Sequence, residues 1–293
     1  MTMLNCKTKL CLSVLLLISA QAAAQQSESS LPATATAPPQ NSPQAGTTDD
    51  PSDFKSRRRR ASKAAEFQGA GVLQLDYGYN GDFHARQAQA MQAATLNLNF
   101  ASTDSLLLEF SNDNLASQTD AAGLRQTGMG NTSLGFQWTA LAEKLQHPSL
   151  ALSYLATLPT GSQRKGLNNG RATHKLTGLI SKQIGKTDVD LNASLLLNGI
   201  EEKEGYDKGV QLALGFTRSL RRGFGLQWEV VGETLDADEP QGAFALWSLT
   251  WQPNARIQFD VGVRYGLRRN APRFGVFAGI NFAVANLYPS RRK

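Results

Sequence analysis

From about residue 68 onward, apolar and polar side chains alternate in segments of roughly ten residues. A period of two puts every second side chain on one face of an extended strand. In Leu73-Gln74-Leu75-Asp76-Tyr77 one face is apolar and the other polar, and Leu96-Asn97-Leu98-Asn99-Phe100 and Val189-Asp190-Leu191-Asn192-Ala193 repeat the pattern. It is clearest in Ile257-Gln258-Phe259-Asp260-Val261-Gly262-Val263-Arg264-Tyr265. Ten residues is the length a tilted strand needs to cross a bilayer. The alternation predicts strands near 70–79, 93–101, 104–112, 129–139, 149–158, 172–183, 187–198, 208–219, 223–233, 242–252, 255–266 and 273–283.

The links between these strands carry a second pattern. Ser102-Thr103, Ile184-Gly185-Lys186, Leu220-Arg221-Arg222 and Pro253-Asn254 are tight, whereas 80–92, 113–128, 159–171, 199–207 and 234–241 are long. The links 140–148 and 267–272 are intermediate. Long and short connections in turn are the habit of outer-membrane barrels, whose even strand number leaves both termini in the periplasm. The expected fold is therefore all-β: a transmembrane antiparallel barrel of about twelve strands.

A bilayer assigns the faces. Leu106, Leu108, Phe110, Leu134, Phe136, Trp138, Leu150, Leu152, Tyr154, Leu212, Leu214, Phe216, Phe224, Leu226 and Trp228 are expected to meet lipid. Trp138, Trp228, Trp251, Tyr77 and Tyr265 fall toward strand ends and fit an aromatic girdle, though each alone also fits ordinary packing. The alternate positions include Gln74 and the set Asp76, Asn97, Asn99, Glu109, Gln137, Asp190, Asn192, Gln211, Gln227, Glu229, Gln258, Asp260 and Arg264. These are expected to line the lumen, because a charge facing lipid is costly. Asp260 and Arg264 share one face and fit internal struts as well as a substrate-selecting role. Twelve strands leave both a narrow polar pore and a filled interior open. The segments 172–183 and 242–252 alternate too poorly to be oriented.

Residues 1–24 read as an export signal. Lys7 and Lys9 precede the apolar run Leu10 to Ile18, and Ala20-Gln21-Ala22-Ala23-Ala24 offers small residues for cleavage. Both cysteines, Cys6 and Cys11, lie inside it, so the mature chain would have no disulfide or thiol site. Removing it lowers the formal charge from +6 to +4, no more than the run Arg57-Arg58-Arg59-Arg60 alone contributes. The pI of 9.4 thus reflects a local cluster and no nucleic-acid partner is expected. Residues 25–66, rich in Ser, Pro, Ala, Gln and Thr, are expected to be a disordered periplasmic leader. Its basic run suits either a solvated linker or contact with acidic lipid headgroups or cell-wall polymer. Residues 67–288 would form the barrel and 289–293 a basic tail.

Catalytic candidates are few. A lipid hydrolase needs a base beside a serine nucleophile, and the histidines are His84, His147 and His174. Two lie in expected loops on opposite sides, and no His-x-Ser pairing surrounds His174. No metal-ligand spacing and no phosphate-cradling glycine motif is present. No enzyme, catalytic residue, metal or cofactor is expected.

Met129-Gly130-Asn131-Thr132-Ser133-Leu134-Gly135, Pro148-Ser149-Leu150-Ala151-Leu152 and Leu158-Pro159-Thr160-Gly161 resemble segments of the phenol-degradation meta-pathway outer-membrane protein family. Further stretches follow in order: Leu176 to Gly185, Asn254 to Val263, and Asn270 to Ile280. The resemblance spans roughly 128 to 282 and implies an outer-membrane transporter or channel for small solutes, with aromatic compounds of phenol-type catabolism as candidate cargo. Its partners would be outer-membrane lipid, the barrel assembly machinery and the solute, with oligomeric state left open. A closed structural or adhesive barrel is the alternative, and a lipid-modifying enzyme the third. One departure is the end of the chain: Phe282 is followed by Ala283 to Lys293, so either the last strand runs on to Tyr288 or a tail follows it.

Overall fold

The alternation is realised as one antiparallel sheet that closes on itself. The structure, a computed structural model, describes residues 61–84, 90–168, 170–200, 205–234, 242–268 and 271–287. The expected signal 1–24, residues 25–60 of the expected leader and the tail 289–293 lie outside the described residues. The strands are β1 (Val72–Phe83), β2 (Ala90–Ala101), β3 (Leu106–Thr119), β4 (Arg125–Gly128), β5 (Thr132–Leu141), β6 (Ser149–Leu158), β7 (Gly170–Ile184), β8 (Thr187–Ile200), β9 (Tyr206–Ser219), β10 (Phe224–Thr234), β11 (Gly242–Asn254), β12 (Ile257–Gly266) and β13 (Phe274–Asn286). Each pairs with its sequence neighbour, except that β3 passes the short β4 to pair with β5; β1 pairs with both β2 and β13. Twelve strands therefore form a closed antiparallel ring, and β4 only extends the hairpin above β3. Among the described residues no helix is long and apolar enough to cross a membrane.

Strand β6 occupies Ser149–Leu158, the span the alternation predicts. The tight link after β9 is built by Arg222 and Gly223, both at positive φ (60° and 77°). At Gly223 a Cβ would also collide with the Gln252 carbonyl, so glycine lets the hairpin reverse close against β11. Closure leaves no sheet edge among the twelve strands, which satisfies the backbone without water.

The sheet's two faces differ as a bilayer demands. Leu134, Trp138, Leu152, Leu212, Trp247, Val261 and Tyr265 are exposed on the outside. Stacked aromatic pairs, Phe216–Trp228, Trp228–Trp247 and Trp251–Phe259, run across strands on that face, with ring centroids 5.2, 6.2 and 5.7 Å apart. The structure also orients the two segments the sequence leaves open. In β7, Lys175, Thr177, Leu179 and Ser181 point inward and His174, Leu176 and Ile180 outward. In β11, Leu246, Ser248 and Thr250 point inward and Trp247, Leu249 and Trp251 outward.

Candidate functional site: the enclosed polar wall

The strands bring every candidate lumen residue to the enclosed face. Asp76, Asn99, Gln137, Asp190, Asn192, Gln227, Glu229, Gln258 and Asp260 are all buried, as are Glu109 and Gln211 at 9 % exposure. Asn97 pairs across with Asp76 and Ser111 and shares their side of the sheet. Arg264 sits between Asp82 and the ring of Phe244.

Short networks tie these groups together. Gln74 Nε2 and Asn99 Nδ2 both donate to the Asp76 carboxylate, at 2.7 and 3.0 Å. Asn281 Nδ2 bridges Gln258 Oε1 (3.2 Å) and Asp260 Oδ2 (3.4 Å), and Ser248 donates to Gln227 Oε1. Lys175 Nζ donates to Gln211 Oε1 at 2.7 Å, and Gln211 Nε2 to Glu233 Oε2 at 2.8 Å. Arg264 is a strut, with its guanidinium 2.9 Å from Asp82 Oδ2 on β1, rather than a partner of Asp260 on its own strand. Asp82, Lys175, Glu233 and Asn281 complete these networks. Asp82 and Glu233 sit near strand ends, where alternation gives way to loop composition, Lys175 lies inside the poorly alternating β7, and Asn281 lies among the small and apolar residues of β13.

Something further occupies this interior. The sequence assigns residues 61–66 to the leader; in the structure they run along the inside wall. Ala61 N–H and Ser62 N–H donate to the two Glu229 oxygens at 3.0 and 2.8 Å, and the Ser62 hydroxyl adds a third bond to the same carboxylate. Lys63 Nζ meets Glu109 Oε2 at 2.7 Å, and its carbonyl accepts from Asn192 Nδ2. Gln137 Nε2 donates to the carbonyls of Ala64 and Ala65, and Thr139 Oγ1 to that of Ala65. Ala65 N–H donates to Ser181 Oγ, whose hydroxyl donates to Asp190 at 2.6 Å. Side chains of β3, β5, β7, β8 and β10 thus hold one short peptide, which fits only inside the ring. Polarity is the reason this segment reads as disordered in sequence: its backbone is satisfied by wall side chains rather than by a core of its own.

No catalytic constellation is assembled by the described histidines. His174 faces outward on β7, where its Nδ1 lies 2.8 Å from the Tyr154 hydroxyl and its Nε2 3.4 Å from that of Tyr206. His147 lies at the β5–β6 link and His84 at the end of β1. Among the described residues no group of three or more His, Cys, Asp or Glu could hold a metal.

A closed antiparallel ring with an apolar outside and a polar enclosed wall is a porin-like outer-membrane β-barrel. The chain belongs to the family described as "Putative MetA-pathway of phenol degradation", whose model matches residues 56–284. The ring resembles the crystal structure of an outer membrane channel from Pseudomonas putida F1: TM-score 0.59, 16 % identity, covering 74 % of this chain and 97 % of that one. The NanC porin is similar at TM-score 0.52 and 9 % identity, covering 72 % of this chain and 98 % of that porin. At these identities the likeness speaks to the fold. No curated protein matches the chain.

Proposed function

We propose that this protein is a passive outer-membrane channel for small solutes, with aromatic compounds of phenol-type catabolism as its cargo class. The observation that carries the channel reading is the enclosed wall itself: a complete ring whose interior is lined by carboxylates, amides and hydroxyls. Among the described residues, the ring's polar side chains reach around it on β1, β2, β3, β5, β8, β9, β10 and β12. The aromatic cargo rests on the family description. The reading includes export through a signal at 1–24, a leader, periplasmic termini, and insertion into lipid by the barrel assembly machinery. It uses no nucleophile and no cofactor. Asp76, Asn97, Asn99, Glu109, Gln137, Asp190, Asn192, Gln211, Gln227, Glu229, Gln258, Asp260 and Arg264 would line the path.

A second reading, a closed structural or adhesive barrel, is favoured by one observation, the peptide 61–66 bonded across the lumen. Single-channel recording in planar bilayers separates the two. Discrete conductance steps, blocked by small aromatic solutes, are expected of the channel; a heat-resistant inserted barrel that passes no current belongs to the second reading.

A further inference from the structure

The outward face of β9 carries a cation near each end. Its outward positions read Lys208, Val210, Leu212, Leu214, Phe216 and Arg218, so two charges bracket an apolar run. From Lys208 to Arg218 the strand rises about 33 Å. At a tilt of about 40° that is about 25 Å along the bilayer normal, the height of a barrel's apolar band. The two cations therefore fall at the edges of the hydrocarbon, level with lipid phosphates.

At the tight-turn edge Arg218 has company. It pairs across to Thr187, which brings Lys186 alongside, and the next turn is built by Arg221 and Arg222. All of these residues are exposed, and no acid lies in 184–187 or 218–224. Asp188, the next carboxylate in sequence, pairs with Thr217 and shares the inner face with it. Among the described residues no ion pair includes Lys186, Arg218, Arg221 or Arg222. Arg222 stands at φ 60°, so the turn keeps arginine there at a backbone cost. Beside the cations, on the lipid side, are Leu220, 43 % exposed, and the stacked Phe224–Trp251 pair, with ring centroids 6.1 Å apart. Cations just beyond an apolar and aromatic slab match a phosphate above its acyl chains.

We propose that the turns at this end of β8, β9 and β10 bind a doubly anionic phospholipid of the cardiolipin type. Its two phosphates lie among Lys186, Arg218, Arg221 and Arg222, and its acyl chains lie against Leu220, Phe224 and Trp251. A cluster of this size matches two phosphates rather than one. With the tight turns facing the periplasm, as the proposed function has them, the adjoining leaflet is phospholipid.

Native mass spectrometry of the folded barrel in detergent measures the site without a membrane or any conductance, so its result stands apart from the channel reading. Cardiolipin is expected to bind the parent at least ~10-fold more tightly than phosphatidylcholine, which has no net charge. R218Q/R221Q/R222Q is expected to lose that preference. R164Q/K165Q/K208Q, which removes the same charge from the long-loop end, is expected to keep it. Heat-modifiable migration on gels verifies that each protein is a folded barrel; K186Q/R218Q, expected to weaken cardiolipin binding at least ~3-fold, serves if the first variant does not fold. Equal affinity of the parent for cardiolipin and phosphatidylcholine overturns the proposal with no variant needed. Phosphatidylglycerol binding as tightly as cardiolipin also overturns it, since one phosphate would then suffice. A preference that survives R218Q/R221Q/R222Q, or that both triple variants lose equally, places the lipid elsewhere and overturns it as well.

Discussion

Adjacent residues of one strand live in opposite solvents. On β12, Val261 is 56 % exposed on the outside, while Asp260 beside it is 7 % exposed and hydrogen-bonded to Asn281 within the ring. A water-soluble protein would place them the other way round. The two faces also hold together differently. The outer face is a field of branched aliphatics and stacked indoles whose cohesion is with lipid, whereas the inner face is a set of short polar networks whose cohesion is hydrogen bonding. The difference teaches that polarity here marks the enclosed side, and substitutions ought to respond to face rather than to depth of burial.

The largest effect should come from violating the outer face. Val261→Arg is expected to destabilise the inserted barrel by about 2–4 kcal/mol, because mid-strand charge must leave water for hydrocarbon. Urea titration of folding into vesicles measures this, and Asp260→Asn one residue away should shift the midpoint far less. Next in size is the strut. Asp82→Ala removes both bonds to the Arg264 guanidinium and should cost about 1.5–3 kcal/mol in the same titration. A comparable loss is expected from Gly262→Val, about 1–3 kcal/mol. At that inward position any Cβ meets the Phe277 ring and the Trp247 carbonyl, so the ring must turn away. The smallest effect belongs to the rim, where His174→Ala removes the Tyr154 hydroxyl contact and is expected to cost about 0.5–1.5 kcal/mol. A His174→Ala loss as large as that of Val261→Arg would erase the contrast between the faces.

The comparison also explains what was legible in the sequence. Where the faces are chemically pure, as in β6 and β12, alternation alone locates the strand and orients it. β7 and β11 defeat the pattern because their inward positions carry leucine. Leu179 points into the ring and meets Ala65 and Ala151, an apolar contact made possible by the chain's own peptide lying inside. Leu246 is likewise inward and fully buried. Conversely, β7 shows His174 and Gly178 to the outside, so neither face reads as apolar. The peptide 61–66 was illegible for a related reason: its partners, Glu229, Glu109 and Gln137, are far away along the chain, and nothing in Ala-Ser-Lys-Ala-Ala-Glu signals an interior position. β4 was missed because four residues pairing only with β3 lie within a link whose composition is that of a loop.

The most direct test of the central claim, that the polar face of the ring encloses a hydrated path, uses single cysteines at neighbouring positions. The chain's natural cysteines are Cys6 and Cys11 alone, so a Cys6→Ser, Cys11→Ser background carries none. Asp260→Cys and Val261→Cys would each be placed in that background, folded into vesicles, and exposed to a membrane-impermeant thiol reagent. The account predicts that the cysteine at 260 reacts and the one at 261, facing lipid, is protected. Reaction at 261 with protection at 260 would invert the two faces and contradict it.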